Sequence, residues 1–130
     1  MTTTTDSLAS HGNPLLPEFL AAGSEGRLLL RWCNACERSH WYPRHICPHC
    51  FNPATAWRES PGLGEIYAFS IMRRAATPYV IAYVQLDEGV TMMTNIQTHD
   101  LDGVRIGQRV RATFGGPALA DGLPVFRRVE

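Results

Sequence analysis

The chain has no lysine; all twelve of its basic side chains other than histidine are arginine. It therefore forms no lysine Schiff base, which excludes type I aldolase and pyridoxal chemistry within this chain. Arginine suits two-pronged phosphate binding, whatever sets its abundance. Net charge is also missing, because twelve acidic residues balance the arginines. A nucleic-acid binder draws most of its affinity from phosphate neutralisation, and no basic tail supplies it here. No apolar run is long enough to span a membrane. No phosphate loop, dinucleotide fingerprint, nucleophile elbow or metalloprotease helix is present. Residues 1–12 are rich in Thr and Ser, with neither a basic nor an apolar segment of a targeting signal. They read as a disordered tail, and the chain as a soluble cytoplasmic protein.

What is there in compensation is a set of four cysteines, Cys33, Cys36, Cys47 and Cys50, with no others. They form two Cys-x-x-Cys knuckles separated by ten residues. Folded back on each other, the knuckles offer four thiolates at the corners of a tetrahedron, the closed arrangement of structural zinc. Such an ion has no open position for water, so it holds a fold together without activating a nucleophile. Iron in a rubredoxin-like site accepts the same ligands, and Cys47-Pro48-His49-Cys50 resembles such a knuckle. Two disulfides are the third reading, and the one least suited to a reducing compartment.

Three segments follow in order. Residues 13–24 read as a short helix: Asn13 as cap, Pro14 in the first turn, Gly23 as the stop. Leu16, Phe19 and Leu20 make its apolar side, which must dock on its own domain or on a partner subunit. Residues 25–60 read as the zinc ribbon, in which Leu28 and Leu30 alternate with Leu29 and Arg31. Trp32, Trp41, Tyr42 and Trp57 are expected as packing around a core too small to stand alone. Residues 61–130 hold five strand-like segments: Glu65–Met72, Tyr79–Leu86, Val90–Ile96, Gln108–Phe114 and Leu123–Val129. Asp87-Glu88-Gly89 is a hairpin turn, and Asp100 to Ile106 can form one helical turn. Gly115-Gly116-Pro117 and Asp121-Gly122 frame the last connection. The fold class is mainly β: an N-terminal helix, a rubredoxin-like four-cysteine ribbon and a five-stranded OB-fold barrel.

The ordered series is more specific than its parts. Arg31-x-Cys33, Tyr42-Pro43-Arg44, Cys47-Pro48-x-Cys50 and Trp57 lead into Gly62-x-Gly64-Glu65-Ile66-Tyr67. Pro78-Tyr79-Val80, Leu86-Asp87-Glu88-Gly89 and Ile106-Gly107-x-x-Val110 follow. From about Pro14 to Val129 this resembles the DUF35 family of zinc-ribbon and OB-fold proteins associated with acyl-CoA. The resemblance implies a non-catalytic accessory subunit of a thiolase-superfamily enzyme. Such partners include thiolases, acyltransferases and steroid side-chain aldolases, and some members are fused to hydratase-like domains. It implies a hetero-oligomer, a heterotetramer in the simplest case, with structural Zn2+ and with CoA or acyl-CoA as a shared ligand. Lipid or steroid metabolism is the setting it suggests.

CoA presents phosphates and a flat adenine, so a binder needs fixed cations. Arg73 and Arg74, at the end of the first barrel strand, are candidates to clamp phosphates. Arg44, beside the ribbon, is a third candidate for CoA or for an acidic patch on the partner. The alternative reading of each is a solvated surface charge. Five histidines occur, with His40, His45 and His49 near the ribbon. Four cysteines leave no coordination position for them, and His99-Asp100 has no nucleophile in register. The competing function is single-stranded nucleic-acid binding, with Tyr67, Phe69, Tyr79 and Tyr83 as stacking platforms. Zero net charge weighs against it.

Overall fold

The computed structural model describes residues 13–114 and 122–129. The expected disordered tail at residues 1–12 and the Gly115-Gly116-Pro117 connection lie outside them. The chain forms two compact units: Met1–Pro61 with Phe114–Pro124, and Gly62–Thr113 with Val125–Glu130.

In the first unit, helix α1 (Leu16–Ser24) precedes a three-stranded antiparallel sheet of β1 (Leu28–Cys33), β2 (Arg38–His40) and β3 (Thr55–Ser60), in the order β2-β1-β3. The helix starts later than its sequence suggests. Pro14 and Leu15 form a turn in which the Asn13 side chain accepts the Leu15 amide and the Asn13 carbonyl accepts the Leu16 amide. Pro17 then falls in the first turn, where its missing N–H leaves no bond unmade. The helix also ends later. Gly23 lies inside it, and the stop is Gly26, with φ of 80°. The Arg27 amide bonds the Ala22 carbonyl and the Gly26 amide bonds the Gly23 carbonyl. That pairing is the Schellman motif, which puts a residue of positive φ just past the helix end.

The helix docks on its own ribbon unit. Buried Phe19 meets Trp41 at 5.2 Å and Trp57 at 6.4 Å between ring centroids. Central strand β1 is buried from Leu28 through Arg31, so both of its faces are covered.

The second unit is a closed barrel of β4 (Leu63–Met72), β5 (Tyr79–Leu86), β6 (Thr91–Gln97), β7 (Arg109–Phe114) and β8 (Pro124–Arg128), ordered β4-β5-β6-β8-β7. Val80, Ala82, Val84 and Leu86 point inward from β5 at every second position. Ile66, Met92, Ile96, Val110 and Phe126 complete the core. β8 runs parallel to β6, with Ile96 opposite Phe126, so the strand order is not that of a plain meander. The helical turn expected within Asp100–Ile106 is a single 3-10 turn, Leu101–Gly103.

One irregularity reorganises the outer face. The β4–β5 register shifts between Ile66 and Ala68. A bulge there advances the side-chain phase by one residue. Ile66 faces inward, yet so does Phe69, which pairs with buried Ala82. Phe69 is therefore no external stacking platform, in contrast to the sequence expectation. Tyr67, Tyr79 and Tyr83 remain outside.

Candidate metal centre and its surroundings

The two knuckles are built alike. In each, the amide following the second cysteine bonds the carbonyl of the first: Glu37 to Cys33 at 2.9 Å, Phe51 to Cys47 at 2.8 Å. Glu37 and Phe51 both take positive φ, 59° and 63°. The first knuckle closes β1 onto β2, with Cys33 opposite Arg38 on one side and Thr55 of β3 on the other. The second is carried by the loop between β2 and β3.

All four sulfurs lie within 4.8 Å of one another. Cys33 Sγ is 3.6 Å from Cys50 Sγ, and Cys36 Sγ is 3.7 Å from Cys47 Sγ. A tetrahedron with metal–sulfur bonds of about 2.3 Å has sulfur–sulfur edges of about 3.8 Å, so the donor set fits Zn2+ in size, number and kind. The backbone adds to it. The Cys36 amide points to Cys33 Sγ at 3.5 Å, and the His49 amide to Cys47 Sγ at 3.3 Å. Donors of this kind favour the thiolate. The Cys36 amide draws the Cys33 thiol down to about 7. Burial, with the neighbouring sulfurs, pushes Cys36 up to about 12. Packing four thiols together thus resists their joint ionisation, and a divalent cation at the centre removes that resistance.

A second, buried layer holds the knuckle loop in place, and no motif in the sequence marks its role. Arg31 is 5% exposed with no carboxylate in hydrogen-bond contact among the described residues. Its Nε donates to the Arg44 carbonyl at 3.3 Å and its Nη2 to Thr55 Oγ1 at 2.8 Å. The guanidinium lies 4.8 Å from the Trp57 ring centroid. Thr55 in turn donates to the His45 carbonyl. His40, also buried, sets Nε2 3.3 Å from the same Arg44 carbonyl, while its Nδ1 has no partner among the described residues. Burial first, and then the nearby Arg31, hold its imidazole below its usual range. A charged residue inside Leu28-Leu29-Leu30-Arg31-Trp32-Cys33 was the available signal. His49 is placed as expected, as a loop residue that bonds the centre through its backbone.

The three arginines expected at a CoA site stand in different settings. Arg44 is exposed, and its carbonyl is the group that Arg31 and His40 meet. Arg73 is ion-paired with Asp102 at 2.5 Å, both groups largely solvated. Arg74, beside it, is exposed and makes no ion pair among the described residues. The outer tyrosines lie in a stripe poor in charge: Tyr83 is opposite Ala68 and Met93, and Ile81 is opposite Ser70 and Asn95. No arginine occupies these four paired positions. No helix among the described residues is long and apolar enough to cross a membrane.

Comparison with known proteins extends the picture. Residues 20–56 match the family described as "ChsH2, rubredoxin-like zinc ribbon domain", and residues 57–115 match "ChsH2, C-terminal OB-fold domain". A solved structure titled "Ltp2-ChsH2(DUF35) aldolase" is 30% identical, with a TM-score of 0.71, covering 86% of this chain and 92% of that one. A "DUF35 domain-containing scaffold protein" of Methanocaldococcus jannaschii is 32% identical over 63% of each chain. A "Probable enoyl-CoA hydratase alpha subunit" of Thermomonospora curvata is 32% identical over 84% of this chain, which spans only 36% of that protein. A DUF35-family crystal structure of unknown function from Sulfolobus solfataricus shares the fold at 15% identity, with a TM-score of 0.69 over 96% of this chain.

Proposed function

The chain belongs to the DUF35 family, and from that premise we propose that it is a non-catalytic accessory subunit of a thiolase-superfamily enzyme. The carrying observation is the closed four-sulfur centre. Its donor set saturates a tetrahedral ion and leaves no position for water or substrate. The ion then fixes a small platform, and reactivity resides in the partner. The names of the aldolase structure and of the scaffold relative support this reading. A thiolase, an acyltransferase or a side-chain aldolase in a hetero-oligomer fits it equally.

Within that complex the chain helps to hold the CoA part of the acyl-CoA substrate. The candidate ligands are Arg74 and Arg73 in the turn between β4 and β5, and Arg44 in the ribbon. Arg74 is the readier phosphate ligand, because Arg73 must first leave Asp102. A solvated surface pair of this kind is weak, so a phosphate can displace it.

The test is reconstitution with the partner enzyme and steady-state kinetics with acyl-CoA. Replacing Arg73 and Arg74 by Ala raises KM more than it lowers kcat if both act in substrate binding. An unchanged KM removes CoA contact from the reading. A partner that is fully active without the chain removes the accessory role itself.

A further inference from the structure

Phe51 is the most exposed large apolar side chain among the described residues, at 77%, and nearby Ile46 is 53% exposed. Its backbone is left-handed, with φ of 63°. Glycine is the residue that takes such a position without strain, and a bulky side chain there is disfavoured by about 1 kcal/mol or more. An aromatic ring in that conformation, turned to solvent, adds nothing evident to the fold. Glu37 takes the same conformation in the first knuckle, so the turn sets the backbone, and the exposed aromatic ring is what distinguishes this position.

The setting is specific. The Phe51 amide is tied to the Cys47 carbonyl, and the Cys47 amide to the Asn52 carbonyl, so the ring sits on the metal-binding turn itself. Phe51 lines an open groove of about 460 Å3 with Ile46, Pro48, Cys47, Arg44 and His45. The groove is apolar with a basic margin, and no acidic residue lines it.

We propose that Phe51 and Ile46 form the plug through which this chain seats in an apolar, acid-rimmed pocket of its partner enzyme. The inference rests on the accessory-subunit reading and names the contact. Charge selects the occupant. A second copy packed face to face across a two-fold axis sets Arg44 near its own copy, which repels. Nucleic acid needs more than one arginine beside an apolar ring. An enzyme surface with a greasy pocket and a carboxylate at its edge satisfies both parts of the groove. A central aromatic anchor with a charged rim is the usual layout of an energetic hot spot.

The experiment uses the full chain and its thiolase-superfamily partner subunit, with Phe51→Gly, Phe51→Asp and Arg44→Glu as variants. Affinity is read by titration calorimetry, zinc content by elemental analysis and unfolding by thermal scan. Phe51→Gly is expected to keep its zinc and unfold at the same or a higher temperature, while binding the partner at least about 30-fold more weakly, the scale of a hot-spot loss. Phe51→Asp loses more, and Arg44→Glu also weakens binding. Undiminished binding by both Phe51 variants overturns the plug and leaves the accessory role standing. A fall in stability parallel to the fall in affinity also overturns it, because Phe51 is then structural. Self-association of the wild-type chain in sedimentation equilibrium, abolished by Phe51→Asp, assigns the groove to a second copy instead. If the wild-type chain binds no such partner at all, the accessory reading fails and the plug fails with it.

Discussion

Gly23 and Gly122 touch backbone to backbone: a Cβ on Gly23 would overlap the Gly122 carbonyl, and one on Gly122 would overlap that of Leu20. The contact lets the C-terminal half of α1 lie directly on the turn before β8. Gly122 needs glycine twice over, since its φ is 90°.

Gly23→Ala is expected to lower stability by about 1–3 kcal/mol, the usual cost of forcing a methyl group into a filled space. The midpoint of urea unfolding checks it. Gly89, which also has positive φ but would meet nothing within 4 Å of an added Cβ, supplies the control. Gly89→Ala should cost only its backbone strain, about 1 kcal/mol. A loss at Gly23 no larger than about 1 kcal/mol, or smaller than that at Gly89, would contradict the packing argument.

Purified protein should be colourless and carry one zinc per chain. The three tryptophans, Trp32, Trp41 and Trp57, all lie in the ribbon unit, so their fluorescence reports on it. Removing the metal with a strong chelator at neutral pH is expected to shift that emission to the red, because metal binding and folding of so small a module are one free energy. Cys36→Ser should mimic chelation. An absorbance band of ferric thiolate, or unchanged emission after metal removal, would contradict the assignment.

His40 gives stability a defined pH dependence. Burial holds its folded-state pKa below 6.5, so the unfolded chain takes up the proton more readily. Its contribution is fully present above about 6.5 and is lost as pH falls towards the lowered folded value. His40→Gln should flatten the decline of the unfolding midpoint between about pH 6.5 and 5 relative to wild type. Thiolate protonation acts on both proteins alike, so an identical slope would contradict the role given to His40.

Asp102 is the ion-pair partner of Arg73. If Arg73 contacts CoA, Asp102→Asn frees its guanidinium and lowers KM for acyl-CoA in the reconstituted complex. Arg74→Ala raises it. Both ion-pair partners are largely exposed, so neither change should move the melting temperature by more than a degree or two. An unchanged KM in Asp102→Asn would place Arg73 outside the binding site.

The metal centre is legible in the sequence because ligand identity and spacing define it without help from the rest of the chain. The barrel strands are legible for a similar local reason: alternation such as Val80, Ala82, Val84 and Leu86 can be read along one segment. Three features are not local, and the sequence hides them. Gly23 reads as a helix stop, but its small size serves a contact with a residue almost a hundred positions away. Phe69 reads as an outward aromatic because the bulge after Ile66 leaves no mark in composition. Arg31 reads as one side of an alternating strand, yet it is buried and grips the Arg44 carbonyl that positions the second knuckle.

The most direct test measures thioester turnover by three samples at matched concentration: this chain alone, the thiolase-superfamily partner alone, and the two combined. The expected result is no turnover by the chain, little or none by the lone partner, and full activity on mixing. Turnover by the isolated chain, or full activity of the partner without it, would contradict a saturated metal platform that leaves the chemistry to another subunit.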